Sequence, residues 1–163
     1  MTSQLPESAL TRIHQLYETD YYGWLQETSR LLRTGDLENL DTVNLAEEIE
    51  DMGRSEKRAV ESNLEILLMH LLKYKFQPQM RSNSWRFTIL EHRKRLRKAF
   101  KDSPSLKNYL IEVLNDCYEE ARQMAATETG LPIERFPLAS PFSVDETLDS
   151  GYLPNPDPQD GKS

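Results

Sequence analysis

Two runs of apolar residues at helical spacing decide most of what this chain can become. Val60, Leu64, Leu67, Leu68 and Leu71 follow one another at intervals of three, four and one. Leu106, Tyr109, Leu110, Val113, Leu114, Cys117, Ala121, Met124 and Ala125 do the same over six turns. Such spacing lines one face of a helix. A half-buried strand would need alternation at every second residue, and no stretch of the sequence supplies it. The chain is therefore expected to be all-α.

Capping residues predict where the helices begin and end. Asp20 can accept hydrogen bonds from the open amides of Tyr22 and Gly23, opening a first helix with Trp24, Leu25, Leu31 and Leu32 on its apolar side. Gly35 can close it in the left-handed conformation. Residues 6–18 are open between a further short helix and a packed lead-in. Asn44 followed by Glu47 resembles a capping box, and Leu45, Ile49 and Met52 continue its apolar face until Pro78 ends the helix. One helix over 44–76 would run about 50 Å at about 1.5 Å per residue, so a kink or break near Gly53-Arg54-Ser55 is expected. Ser84 opens a third helix with Trp85, Ile89, His92, Leu96 and Phe100 on one face. Ser103-Pro104 starts a fourth, which Gly130 stops.

From Leu131 the character changes. Six prolines, at 132, 137, 141, 154, 156 and 158, forbid a long helix. Ser143 with Glu146 can cap one short helical turn through Leu148. Phe136, Phe142, Leu148, Tyr152 and Leu153 suggest an extended arm lying across the bundle, with Arg122 and Arg135 as candidate anchors. The expected fold is an antiparallel helical bundle of three to four long helices with a Pro-rich C-terminal arm. A single domain should cover 1–153, followed by a flexible tail over 154–163.

Several segments, taken in order, resemble the domain-of-unknown-function 29 family of cyanobacteria and some proteobacteria. They are Tyr21-Tyr22-Gly23-Trp24, Asn44-Leu45-Ala46-Glu47-Glu48-Ile49-Glu50-Asp51-Met52-Gly53 and His70-Leu71-Leu72-Lys73-Tyr74. Gln77-Pro78, Trp85, Asp102-Ser103-Pro104-Ser105-Leu106, Tyr118, Ala121-Arg122, Phe136-Pro137 and Pro141-Phe142 complete the likeness. It covers about residues 16–154 and implies an all-helical fold. It brings no activity, cofactor or catalytic residue with it.

Composition narrows the function classes. The single Cys117 allows neither an internal disulfide nor a thiolate metal cluster within one chain, which suits a reducing compartment. The opening MTSQLPESAL has no basic region followed by an apolar run, so no secretory signal is expected. The most apolar window, Leu64–Phe76, carries Glu65, His70, Lys73 and Lys75 and is too short and too charged to cross a bilayer. A cytoplasmic protein without membrane contact is expected. The net charge of −7 argues against indiscriminate polyanion binding, but the charges are segregated. Residues 36–56 hold eight acids against Arg54, and residues 81–101 hold eight bases against Glu91.

Two constellations could carry chemistry. Glu47, Glu50 and Asp51 share one helix face, and their repulsion calls for a positive neighbour. Mg²⁺ or Mn²⁺ would serve, and so would Arg54, Lys57 or the basic helix; the ion-paired alternative is the plainer. A divalent-metal site could recruit His70 and His92 with these carboxylates, although no Glu-x-x-His spacing supports a ferritin-like centre; otherwise no cofactor is implied. On the basic helix, residues 86–101, Arg86, Arg93, Lys94, Arg97, Lys98 and Lys101 could contact nucleic-acid phosphates or a protein partner. Cys117 sits within the apolar stripe and reads as an inert core thiol. The favoured function is a protein–protein interaction module, as a homo-oligomer or with another protein. A nucleic-acid-associated protein and a metal-dependent enzyme are the alternatives.

Overall fold

The structure, a computed structural model, describes residues 8–161. Residues 6 and 7 of the N-terminal lead-in and 162–163 of the tail lie outside them. Six α-helices are present among the described residues: α1 (Ala9–Thr19), α2 (Tyr21–Thr34), α3 (Thr42–Phe76), α4 (Asn83–Asp102), α5 (Ser105–Thr129) and α6 (Val144–Leu148). Short 3-10 turns occur at Pro78–Met80, Ile133–Arg135 and Pro158–Gly161. The chain divides into two compact units, Met1–Arg54 and Ser55–Ser163, and the division falls inside α3 rather than at a loop.

This corrects the expected three to four long helices with a Pro-rich arm. The two missing helices are short, and caps rather than long apolar stripes mark them. Ser8 accepts from the Thr11 amide to start α1. Ser143 and Glu146 form a complete capping box that holds the five residues of α6. The proline-containing segment is no arm. It folds through a 3-10 turn and α6, and it buries Phe136, Phe142 and Thr147.

Helix boundaries follow local chemistry, with shifts at two starts. Asp20 caps α2 through the Gly23 amide, and Gly35 and Gly130 close α2 and α5 at φ 73° and 70°, where a Cβ would be strained. The start of α3 lies three residues earlier than a cap at Asn44 predicts. Asp41 accepts from the Asn44 amide at 3.2 Å and from its side chain at 2.7 Å, so Asn44 is held by the cap instead of being one. Ser82, rather than Ser84, caps α4. No break occurs at Gly53: α3 is continuous for 35 residues. Nothing lies within 4 Å of where a Gly53 Cβ would stand, so this glycine has no packing role inside the chain.

In the first unit α1 packs on α2. The core is Ile13, Trp24, Leu31 and Leu40, with Leu16, Tyr17 and Leu45 against it. Tyr17 meets Trp24 edge-on at 5.0 Å, and Tyr21 stacks on it at 5.8 Å. Trp24 Nε1 and Thr28 Oγ1 are buried here without a hydrogen-bond partner.

The core of the second unit is larger. Val60, Leu64, Leu67, Leu68, Leu71 and Leu72 of α3 meet Ile89 and Leu96 of α4 and Leu110, Cys117, Tyr118, Ala121 and Ala125 of α5. Each fully buried leucine contributes about 1.5–3 kcal/mol. Phe136 and Phe142 belong to the same core, with Phe136 edge-on to Phe76 at 5.5 Å.

Burying irregular backbone is costly unless its carbonyls find donors, and here buried arginines supply them. Arg93, 1% exposed, donates to the carbonyls of Thr147 at 2.8 Å, Tyr152 at 2.6 Å and Glu146 at 3.0 Å. Arg122, expected to anchor an arm, donates instead to carbonyls of this folded segment, Phe136 O at 3.0 Å and Ile133 O at 3.3 Å. Arg135, the other expected anchor, is itself in the segment and reaches Gln159 at 3.4 Å. The Tyr118 hydroxyl donates to Pro137 O at 2.6 Å. In the expected tail, Pro154 O accepts from Arg81 at 3.0 Å and the Asp157 amide donates to Lys75 O at 3.1 Å.

Two substitutions separate these roles. Arg93→Met leaves three buried carbonyls without charged donors and should cost about 3 kcal/mol or more, read from the urea midpoint; Arg93→Lys should not rescue it, because one ammonium cannot reproduce the planar fork. Gly53→Ala should instead stabilise the chain by about 1 kcal/mol, since nothing nearby obstructs the added methyl.

Candidate interaction surfaces

The first turns of α3 in the first unit carry the acidic cluster. Asp41, almost fully buried, caps the helix and sits 3.2 Å from His14 Nε2. Glu48 accepts from the hydroxyls of Tyr17 and Tyr21, each at 2.6 Å. These bonds favour the protonated phenols, pushing Tyr17 up to about 12 and raising Tyr21 as well. The remaining acids gather around a cation of their own helix. Arg54 contacts Glu47 at 3.0 Å, Glu50 at 3.7 Å and Asp51 more closely still. Of the positive neighbours the sequence allows, the described structure places Arg54 among these carboxylates.

Ile49 and Met52 point elsewhere. The spacing puts them on the stripe begun by Leu45, yet they are 60% and 68% exposed. On a helix Glu50 follows Ile49 by 100° and Asp51 precedes Met52 by 100°, so the apolar pair is flanked by acids. Among the described residues of the first unit, nine large apolar side chains are exposed, against four in its core.

The outward face of α4, in the second unit, has the opposite sign. Phe87, Leu90, Lys94, Arg97 and Lys101 follow at intervals of three and four, a spacing that holds one helix face, and all are exposed. Lys98 lies beside them. Lys94, Arg97, Lys98 and Lys101 make no ion pair among the described residues, whereas Arg95 is bonded to Glu91 at 2.6 Å. Two of the expected contact residues serve the fold. Arg93 is buried on the segment carbonyls, and Arg86 Nε donates to the Tyr74 hydroxyl at 3.3 Å.

His70 and His92 are both buried in the second unit. His70 Nδ1 donates to Ile66 O at 2.9 Å and His92 Nδ1 to Asn63 Oδ1 at 2.7 Å. Carbonyl acceptors fix the proton on Nδ1 and leave Nε2 as the lone-pair nitrogen. Burial lowers both pKa values; Lys73 adds to the effect on His70, and Arg95 and His70 add to that on His92. Glu47, Glu50 and Asp51 belong to the first unit. Among the described residues no group of three or more His, Cys, Asp or Glu side chains is placed to hold a metal ion. The Cys117 thiol is buried and pushed up to about 12 by desolvation, which leaves it unreactive as expected.

A model of the family described as domain of unknown function DUF29 matches residues 16–153. The chain belongs to that family. No curated protein and no solved structure matches it. No helix among the described residues is long and apolar enough to cross a membrane.

Sequence reasoning missed the exposure of Ile49 and Met52, the burial of Arg93 and the buried Lys73, which pairs with Glu128 and lies 4.6 Å over the Trp85 ring. One signal for Arg93 was available. It follows His92 on the inward edge of α4, 40° from Ile89 by helical geometry.

The two histidines give the DUF29 chain a pH signature. Their folded pKa values lie below the ordinary one, so the unfolded chain takes up protons first as the pH falls. Their contribution to stability is complete above about pH 6.5 and declines below it. Thermal melts between pH 7.5 and about 5 should show this loss, and a His70→Gln/His92→Gln variant should show a flatter profile.

Proposed function

We propose that this DUF29 protein is a protein–protein interaction module. The observation that carries it is the exposed pair Ile49 and Met52 on α3, held on a helix whose residues 49–59 are all exposed. A small unit with four buried apolar side chains has little hydrophobic surplus. Leaving more large apolar groups outside than inside makes sense when a partner covers them. The Tyr17 and Tyr21 bonds to Glu48 and the Arg54 pairs hold the surrounding polar groups in place, so little ordering remains to be done on binding. The single buried Cys117 suits a reducing compartment, and we take the cytoplasm as the working location.

The test is capture of partners from a native extract with the wild-type chain and with Ile49→Asp/Met52→Asp. Both positions are exposed, so circular dichroism should be unchanged. A defined partner retained by the wild type and lost by the variant is the expected result. Equal capture by both chains, or none by either, would overturn the proposal.

A second reading rests on Lys94, Arg97, Lys98 and Lys101, four exposed cations on one helix without carboxylate partners among the described residues. Such a face could neutralise nucleic-acid phosphates. The expected sign is a gel shift of labelled RNA or DNA that weakens with salt and disappears in Lys94→Ala/Arg97→Ala/Lys98→Ala. Arg93 is left intact because its loss would disturb the fold. Absence of any shift at about 50 mM salt would end this reading.

A further inference from the structure

The acidic and basic faces match each other in form as well as in sign. On α3, Ile49 and Met52 are an exposed apolar pair three residues apart, flanked by Glu50 and Asp51. On α4, Phe87 and Leu90 are an exposed apolar pair three residues apart, continued by Lys94 and Lys98. Glu47, Glu48, Glu50 and Asp51 outnumber Arg54, the cation of the same helix that pairs with three of them, so this stretch stays net negative. The outward cations of α4 have no carboxylate among the described residues. Equal apolar spacing lets two helices interlock their side chains. Opposite charge beside each pair orients the encounter and excludes copies approaching like face to like face.

The geometry points to a second copy of this chain as the occupant of these faces: the first turns of α3 in one copy dock on the outward face of α4 in another. The inference rests on the interaction-module reading and supplies its partner. A nucleic acid would be served by the α4 cations alone and leaves Phe87, Leu90, Ile49 and Met52 unexplained. A second copy covers all four apolar side chains at once. A single helix-on-helix contact is at the small end of specific interfaces, so association should be weak and sensitive to salt.

Sedimentation of the purified full chain tests this directly. The expected result is a mass of at least two chains at low salt, falling toward one chain at about 0.5 M salt. Lys94→Glu/Lys98→Glu should weaken association by about tenfold or more, and so should Glu50→Lys/Asp51→Lys. Mixing these two variants should restore a complex, because the reversed α3 of one then meets the reversed α4 of the other. All four positions are exposed, so misfolding is not expected, and circular dichroism checks it. A chain that stays monomeric at low salt, or association that ignores both reversals, overturns the inference. If the monomeric chain still captures a different protein through Ile49 and Met52, the interaction-module reading stands and only the second copy is excluded. If the α4 reversal abolishes a nucleic-acid shift while the mass stays that of one chain, α4 faces phosphate instead and the inference is likewise excluded.

Discussion

The second unit depends on how its irregular C-terminal segment satisfies its own backbone. A segment interrupted by prolines cannot run a helical ladder, yet Phe136, Phe142 and Thr147 take it into the core. Its carbonyls must find donors there or forfeit about 1–3 kcal/mol each. Arg93 meets three of them and Arg122 meets two. A guanidinium suits this task because it presents five donors in one plane and stays charged when partly desolvated. Burial does lower the Arg93 pKa, while nearby Asp149 opposes the shift. The docked segment thereby becomes part of the core, and the helices that hold these arginines are tied to it.

That constraint sorts the basic residues of α4 into two populations. Arg93 and Arg86 are engaged by the fold, whereas Lys94, Arg97, Lys98 and Lys101 are exposed without an ion pair among the described residues. A count of charge along residues 81–101 merges the two. The same sorting occurs among the acids. Asp41 and Glu48 hold the start of α3 and the tyrosines of the first unit, while Glu47, Glu50 and Asp51 surround Arg54. What remains outward is an apolar pair beside a mainly acidic cluster on α3 and one beside mainly basic residues on α4.

Much of the fold was legible because its signals are local. Gly35 and Gly130 were readable as closing residues since a left-handed backbone favours glycine. Asp20 and the Ser143–Glu146 pair were readable as caps since their side chains reach amides three residues away. The stripe of Val60, Leu64, Leu67, Leu68 and Leu71 announced its burial by period alone. Ile49 and Met52 carry the same period and are exposed, because periodicity identifies a face without saying what covers it. Of the kink or break expected near Gly53-Arg54-Ser55, a break did not occur, since a helix absorbs one glycine at about 1 kcal/mol when its neighbours are good helix formers.

The amino-acid order by itself determined the all-helical class, most helix ends and the segregation of charge, all of which arise from residues within a few positions of one another. Only the tertiary structure decided that the proline-containing segment is built into the core, that Arg93 is structural, and which apolar side chains are left uncovered. Those outcomes depend on groups more than fifty residues apart, such as Arg93 with Thr147 and Tyr152. Nothing in the local sequence encodes which distant carbonyl will need a donor until packing has removed the water that would otherwise supply one.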